Sequence, residues 1–125
     1  MRILAIDTSC GAASVAVMEG GGARPLAVIS RPMTRGHADA LAPMVEEAMR
    51  GIDGGFPSLA RIAVTTGPGS FTGIRIGLAM ARAMGMALAI PVVGVSTLAA
   101  FAAPLLSEPR TGIIAAATCS NMNCA

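Results

Sequence analysis

Residues 65–77 read Thr65-Thr66-Gly67-Pro68-Gly69-Ser70-Phe71-Thr72-Gly73-Ile74-Arg75-Ile76-Gly77. They follow the apolar run Ile62-Ala63-Val64 and open a long helix-forming segment, so they predict a strand that passes through a glycine-rich turn into a helix. Glycine suits positions where φ is positive or where another backbone comes close, and Ser70 or Thr72 can cap the first N–H groups of the helix. Those N–H groups, with the positive end of the helix dipole, favour a bound anion.

Two interpretations of this turn stay open, an anion site and a purely structural strand-to-helix turn. A phosphate-binding Walker loop has Lys and then Ser or Thr after its last glycine, whereas Ile74 and Arg75 follow here. The glycine spacing also differs from the dinucleotide pattern G-x-G-x-x-G. As an anion site, the turn would use Gly67, Gly69, Ser70, Thr72 and Gly73.

The composition narrows the class of protein. The chain has 125 residues, of which 54% are hydrophobic, but only three are Phe and none is Trp or Tyr. Small aliphatic side chains and nine Met must therefore fill the core. All nine basic residues are Arg, they are scattered, and the net charge is +2. This pattern argues against nucleic-acid binding by this chain alone, because such surfaces cluster basic and aromatic side chains.

Interruptions of the apolar runs and the spacing of the cysteines indicate the cellular compartment of the protein. Asp7 interrupts the N-terminal apolar run before a secretory signal can form. Arg82 and Pro91 interrupt the apolar residues 76–95, which favours a buried helix and strand over a membrane span. The three cysteines include no C-x-x-C pair, so neither a disulfide framework nor a zinc site is indicated. We therefore expect a cytoplasmic protein with reduced thiols and no membrane contact.

Hydrophobic periodicity predicts an α/β domain. A three-stranded meander comes first, and helices alternate with strands after it. The strands are predicted at residues 2–7, 14–18, 26–30, 61–66 and 91–95, with a last one at 112–117, and the helices at about 37–50, 72–89 and 96–106. A mixed five-stranded sheet flanked by helices is the order of a ribonuclease-H-like or actin-like ATPase lobe.

Two details of this prediction concern the ends and faces of elements. Asp39 is the expected cap of the first helix, which places Pro43 in the first turn, where its missing N–H costs least. The strand at 61–66 is apolar enough to be expected buried on both of its faces.

Four segments of the chain resemble the TsaB (YeaZ) family. They are ILAIDTSCGAASVAV at 3–17, RGHADALAPMVEEAM at 35–49, TTGPGSFTGIRIGLAMARAMGMAL at 65–88 and IPVVGVSTLAAFA at 90–102. The resemblance covers roughly residues 2–103, in the order of the family. It implies an actin-like ATPase fold with two similar lobes. We expect residues 1–117 to form the first lobe, residues 118–125 to be an irregular tail, and the second lobe to be absent.

The resemblance also implies a non-catalytic role. The family helps the catalytic paralogue TsaD to make threonylcarbamoyladenosine at position 37 of transfer RNA. In TsaD, a His-Met-Glu-Gly-His segment after the strand equivalent to 91–95 binds a metal, whereas residues 95–100 here are Val-Ser-Thr-Leu-Ala-Ala. His37 is the only histidine of the chain. We therefore expect no metal site and no catalytic residue.

The same resemblance implies a partner surface on the first two helices, which would dock on the equivalent helix pair of TsaD or self-associate. Arg75, Ala79, Arg82 and Met86 form a stripe at spacings of four, three and four, opposite the side expected to face the sheet. Met44 and Met49 of the first helix complete the expected interface. A TsaE-like ATPase is a further expected partner, and contact with transfer RNA is expected to be indirect.

Enzymatic activity is the rival interpretation. Asp7 ends the first strand where actin-like ATPases place a carboxylate near the metal of the nucleotide, and Thr8 and Ser9 add hydroxyl groups. Alternatively, Asp7 accepts hydrogen bonds from the N–H groups of its own turn. ATP or ADP would require the second lobe, so no cofactor is expected. A peptidase, the older M22 glycoprotease label of the family, would have to use His37 as its only base.

Overall fold

The computed structural model describes residues 1–22, 24–33 and 36–106. Five strands lie in this part of the chain: β1 (Arg2–Asp7), β2 (Ala12–Glu19), β3 (Pro25–Pro32), β4 (Leu59–Thr65) and β5 (Val92–Val95). Three α-helices accompany them: α1 (His37–Met49), α2 (Phe71–Leu88) and α3 (Thr97–Leu106). The strand predicted at 112–117 and the boundary at 117 lie outside the described residues.

The strands form one mixed sheet in the order β3-β2-β1-β4-β5. The first three pair antiparallel as a meander, while β4 and β5 run parallel to β1. A helix follows β3, β4 and β5 in turn. The mixed five-stranded α/β sheet that the periodicity predicts is therefore confirmed.

The core lies between one face of the sheet and the helices α1 and α2. Strand residues that point to this face alternate along β1, β2 and β4, as the two-residue period of a strand requires. Burial of these apolar side chains supplies the main free energy that holds the helices on the sheet. At most 2% of the surface of each of the following is exposed: Leu4, Ile6, Val15, Val17, Ile62 and Val64, with Leu41, Met44 and Ala48 of α1.

The N-terminus of α1 differs from the sequence prediction. Its N-cap is Gly36, which has φ +82°, a left-handed conformation that glycine adopts without steric cost. Asp39 lies in the first turn rather than at the cap. Pro43 consequently lies inside the helix. There it leaves one backbone carbonyl of the preceding turn without its helical N–H partner.

The residues that the structure describes cover the second face of the sheet only in part. Its central positions carry small side chains, with Ala5 of β1 placed between Ala16 and Ala63 on the neighbouring strands. Ala63 is half-buried and Arg61 is exposed, so the expectation that β4 is buried on both faces is wrong. An open cavity of about 210 Å³ lies over this face and reaches Ala100 of α3. Among the described helices, none combines the length and the apolar character that crossing a membrane requires.

Candidate functional site

The carboxylate of Asp7 organises the turn that follows β1. Its Oδ1 accepts hydrogen bonds from the backbone N–H of Ser9 at 3.0 Å and from the Ser9 hydroxyl at 2.5 Å. The hydroxyl of Thr65, at the end of β4, donates to the same oxygen at 2.8 Å. Asp7 therefore closes its own turn, as the second interpretation of this residue expects, and ties that turn to the neighbouring strand.

The turn packs directly on the start of α2. Thr8 is buried, and its hydroxyl donates to the carbonyl oxygen of Gly73 at 2.6 Å. The backbone N–H of Ser70 donates to the carbonyl oxygen of Ser9 at 2.7 Å. These two bonds join the turn of Thr8 and Ser9 to the residues of the expected anion site.

The glycines of residues 67–77 allow this close approach. A Cβ at Gly69 would overlap the carbonyl oxygen of Ser9, and one at Gly73 would overlap that of Thr8. A Cβ at Gly77 would overlap the hydroxyl oxygen of Thr8. Gly67 additionally has φ +113°, which L-residues rarely adopt. The structural interpretation of the turn thus accounts for each of these glycines.

Some N–H groups of the expected anion site already donate hydrogen bonds to other atoms of the chain. Ser70 is the N-cap of α2, and its hydroxyl oxygen accepts from the N–H of Gly73 at 3.3 Å. Thr72, the other candidate cap, is the second residue of α2, and its side chain is exposed. Anion binding by this turn stays a prediction, with Ser70 and Gly73 already engaged by the chain itself.

Helix α2 presents opposite faces of very different character. Its buried residues are Gly73, Gly77, Ala81 and Gly85, so along this line the helix lies close to β4. The opposite side carries the stripe expected from the spacing, and all four members are exposed: Arg75, Ala79, Arg82 and Met86.

Phe71 belongs to the same exposed side, and sequence reasoning missed it. Its side chain is 73% exposed, and the Arg75 guanidinium lies 5.1 Å from the centroid of its ring. That distance allows a cation–π interaction. The available signal was an aromatic residue directly after the cap, four positions before an arginine. We call Phe71, Arg75, Ala79, Arg82 and Met86 the α2 stripe.

Met44 and Met49 do not share this exposure. They lie in the core, 0% and 4% exposed, on the side of α1 that also carries Leu41. Their expected place on the partner surface is therefore corrected. The exposed side of α1 carries instead Asp39 and Glu46.

A groove of about 240 Å³ separates the two helices on the outer side. Its lining is mostly apolar, with one carboxylate from Glu46: Ala42, Val45, Glu46, Phe56, Met80, Met84, Ala87 and Leu88. Of the charged residues of the two helices, Glu46 lines this groove, whereas Arg75 and Arg82 are not among its lining residues. Arg82 and Met86 border a separate groove with Ile90 and Val92.

The described residues contain no group of three or more His, Cys, Asp or Glu side chains placed to hold a metal ion. His37 lies at the start of α1 and is 8% exposed. Its Nε2 has no hydrogen-bond partner within the part of the chain that the structure describes.

Comparisons with known proteins relate these features to a family. The family model TsaD, described as tRNA N6-adenosine threonylcarbamoyltransferase, matches residues 20–119. The chain is 37% identical over 98 residues to the tRNA threonylcarbamoyladenosine biosynthesis protein TsaB of Escherichia coli (strain K12), covering 78% of this chain and 41% of the relative. It is 34% identical over 129 residues to the tRNA N6-adenosine threonylcarbamoyltransferase of Halalkalibacterium halodurans, covering 90% and 38%.

Solved structures agree with the fold. YeaZ from Pseudomonas aeruginosa superposes with a TM-score of 0.76 at 35% identity, covering 86% of this chain and 51% of that one. Thermus thermophilus RuvC superposes with a TM-score of 0.53 at 16% identity, covering 82% and 66%, which supports the ribonuclease-H-like fold alone. The chain spans about half the length, or somewhat less, of the TsaB and YeaZ relatives it matches.

Proposed function

This chain belongs to the TsaB (YeaZ) family, and from that premise we propose that it is an accessory subunit of a TsaD-type transferase. In this role it supports the N6-threonylcarbamoylation of adenosine 37 in transfer RNA, and its place of action is the cytoplasm. The relatives named TsaB are biosynthesis proteins of the same modified nucleoside, which supports this assignment.

The observation that carries the proposal is the exposed α2 stripe. Met86 is 84% exposed and Phe71 is 73% exposed, on a helix whose other side is anchored through glycine and alanine. Arginine, methionine and aromatic residues are enriched in protein interfaces. A helix with this surface gains stability when a second protein covers its apolar side chains.

The exposed charges of α1 and α2 define the partner. Arg75 and Arg82 of α2 call for acidic residues on the helix that meets them, and Asp39 and Glu46 of α1 call for basic ones. A helix pair of TsaD with this arrangement would complete a four-helix contact. A second copy of this chain, related by a two-fold axis, would also place an acidic α1 against a basic α2. Homodimer and heterodimer therefore compete for one surface. A TsaE-like ATPase joins the assembled complex, and transfer RNA is held through TsaD.

Affinity measurements with TsaD from the same organism test the proposal. Arg75→Glu and Arg82→Glu reverse the charge on the α2 stripe, and each should weaken binding about tenfold or more, the factor that corresponds to roughly 1.4 kcal/mol. Arg61→Glu is the matched control, because Arg61 is exposed on the second face of the sheet and should leave the affinity unchanged. The proposal fails if the parent chain does not bind TsaD, or if all three variants bind equally.

A further inference from the structure

We propose that Thr8 is the positioning residue that sets the depth of the first half of α2, and with it the pose of Phe71 and Arg75 toward a partner. This inference rests on the proposed function, because it concerns the surface through which the chain docks. It assigns a role to a side chain that lies beneath the helix and does not belong to the partner surface itself.

Thr8 contacts α2 at two successive turns. Its hydroxyl donates to the carbonyl oxygen of Gly73 at 2.6 Å, and the same oxygen fills the place that a Cβ of Gly77 would take. Only 1% of Thr8 is exposed. Gly73 and Gly77 have no side chains, so the helix and the turn are separated here by the backbone oxygen of Thr8 beside Gly73 and by its hydroxyl beside Gly77.

The turn that carries Thr8 is held on both sides. Asp7 Oδ1 accepts from Ser9 and from Thr65, which joins the turn to β4. The carbonyl oxygen of Ser9 accepts from Ser70 at the N-cap of α2. The turn is therefore fixed by several hydrogen bonds, and we expect a change in the size of residue 8 to displace the adjoining start of α2 rather than the turn. The side chains that pack α2 on the core begin beyond this point, at Ile76, Leu78 and Met80.

Movement at this point reaches the partner surface directly. Arg75 lies midway between Gly73 and Gly77 in sequence, which places it about 200° around the helix axis from both. Its side chain therefore leaves the helix on the side opposite Thr8. Met86 lies more than two turns away, where Gly85 packs on Val92 of β5 instead. The effect of Thr8 should be confined to the first half of the α2 stripe.

Thr8→Val and Thr8→Ser separate the hydroxyl from the volume of the side chain. A methyl carbon stays about 3.3 Å or more from a carbonyl oxygen, so valine pushes Gly73 outward, whereas serine keeps the donor. We expect Thr8→Val to weaken TsaD binding about tenfold and Thr8→Ser to change it less than about twofold. Thr8→Val combined with Arg75→Ala should be non-additive, and combined with Met86→Ala it should be additive. A role in stability alone would lower the unfolding midpoint and leave both pairs additive.

A rescue experiment tests the same contact from the side of the helix. Gly77→Ala places a methyl group against the hydroxyl oxygen of Thr8 and should weaken binding, while the other neighbours of that position are at ordinary contact distance. Thr8→Ala removes the opposing oxygen. The double variant should therefore bind TsaD at least about threefold more tightly than Gly77→Ala alone. Equal affinity of the two would overturn the inference.

A measurement without a partner keeps the two proposals apart. In Thr8→Val, the amide chemical shifts of Phe71 and Arg75 should differ from those of the parent protein, whereas the shift of Met86 should be unchanged. In Thr8→Ser, all three shifts should match those of the parent protein. Unchanged shifts at Phe71 and Arg75 in a folded Thr8→Val protein would overturn the positioning role even if Arg75→Glu abolishes binding. Changed shifts together with full indifference of binding to Arg75→Glu would support the positioning of α2 and defeat the proposed function.

Discussion

Asp7 connects three segments of the chain through one oxygen atom. The end of β1, the turn at Ser9 and the end of β4 meet at its Oδ1. Hydrogen bonds to a charged acceptor are stronger than bonds between neutral groups. Its first function is therefore to define the local backbone on which α2 rests.

Asp7→Ala should destabilise the protein by about 3 kcal/mol, because partly buried donors lose a charged acceptor. Asp7→Asn keeps an acceptor oxygen and should cost only about 1 kcal/mol. Urea unfolding measures both values. Equal losses in the two variants would contradict the assignment of Oδ1 as the connecting atom.

Glu19 should make stability depend on pH through the N-terminus. The N-terminal ammonium hydrogen-bonds its carboxylate at 2.7 Å and, with Arg2, lowers the pKa of this carboxyl. Since the folded pKa lies below the unfolded one, the contribution is complete above the unfolded pKa and is lost as pH falls through the folded pKa.

An extension ahead of Met1 removes this ammonium group from Glu19. The pKa of Glu19 in the folded protein, measured by NMR titration, should then rise, and the acid unfolding midpoint should move to higher pH. Glu19→Gln is the control, because the extension should no longer shift the midpoint in that variant. A Glu19 titration that is identical with and without the extension would contradict the prediction.

At the scale of elements, α2 combines side-chain packing on the core with close backbone contact at its glycines. Gly→Ala normally stabilises a helix interior by about 1 kcal/mol, because alanine loses less conformational entropy. Gly73 should show the opposite sign, since a Cβ there would overlap the backbone oxygen of Thr8.

We expect Gly73→Ala to destabilise the protein by about 2 kcal/mol or more. Gly85→Ala should cost less, because its new methyl group overlaps only the end of the Val92 side chain, while the nearest backbone atom, the oxygen of Ile90, is 3.2 Å away. Ala79→Gly, at an exposed site of the same helix, measures the difference in helix propensity between the two residues, which should be about 1 kcal/mol. Thermal unfolding of the three variants checks the order, and a stabilised Gly73→Ala would contradict it.

Local signals predict the elements where a cap or a turn marks the boundary. The pattern predicts a strand at 2–7, and β1 spans Arg2–Asp7 because Asp7 begins a tight turn. Ser70 was a candidate cap for α2 and is the cap. Helix α1 begins at His37, as predicted, but its expected cap was wrong: Gly36 takes a left-handed conformation that sequence does not reveal, whereas Asp39 is a common capping type.

The contacts of the candidate site were harder to predict from the sequence. Gly73 and Gly77 indicate that something approaches closely, but Thr8 lies 65 residues before Gly73, and only the pairing of β1 with β4 brings them together. The exposed stripe follows from helical spacing. Met44 and Met49 were misplaced because methionine suits both cores and interfaces, and residue type alone does not separate the two.

At the scale of the whole molecule, the described helices α1 and α2 pack on one face of the sheet, and the described residues cover the other face only in part. Val64 is 2% exposed toward the helices, whereas Val93 of β5 is 42% exposed. The free energy of unfolding should therefore depend on which face a strand residue occupies.

Val64→Ala should cost about 2–3 kcal/mol through lost burial and a cavity. Val93→Ala should cost less than about 1 kcal/mol, because its surroundings are already hydrated. Denaturant unfolding of the pair measures the contrast. Similar losses would mean that the second face is as well packed in solution as the first.

The outer edge of the sheet has a consequence for solubility at high concentration. Strand β3 begins at Pro25 and ends at Pro32, and it lies at one margin of the sheet that the described residues form. Because proline has no N–H to offer, an incoming strand finds no donor at either end of β3. The two prolines therefore disfavour fibril-like growth by strand addition at this margin, although the apolar side chains of Leu26 and Val28 within β3 are exposed to solvent.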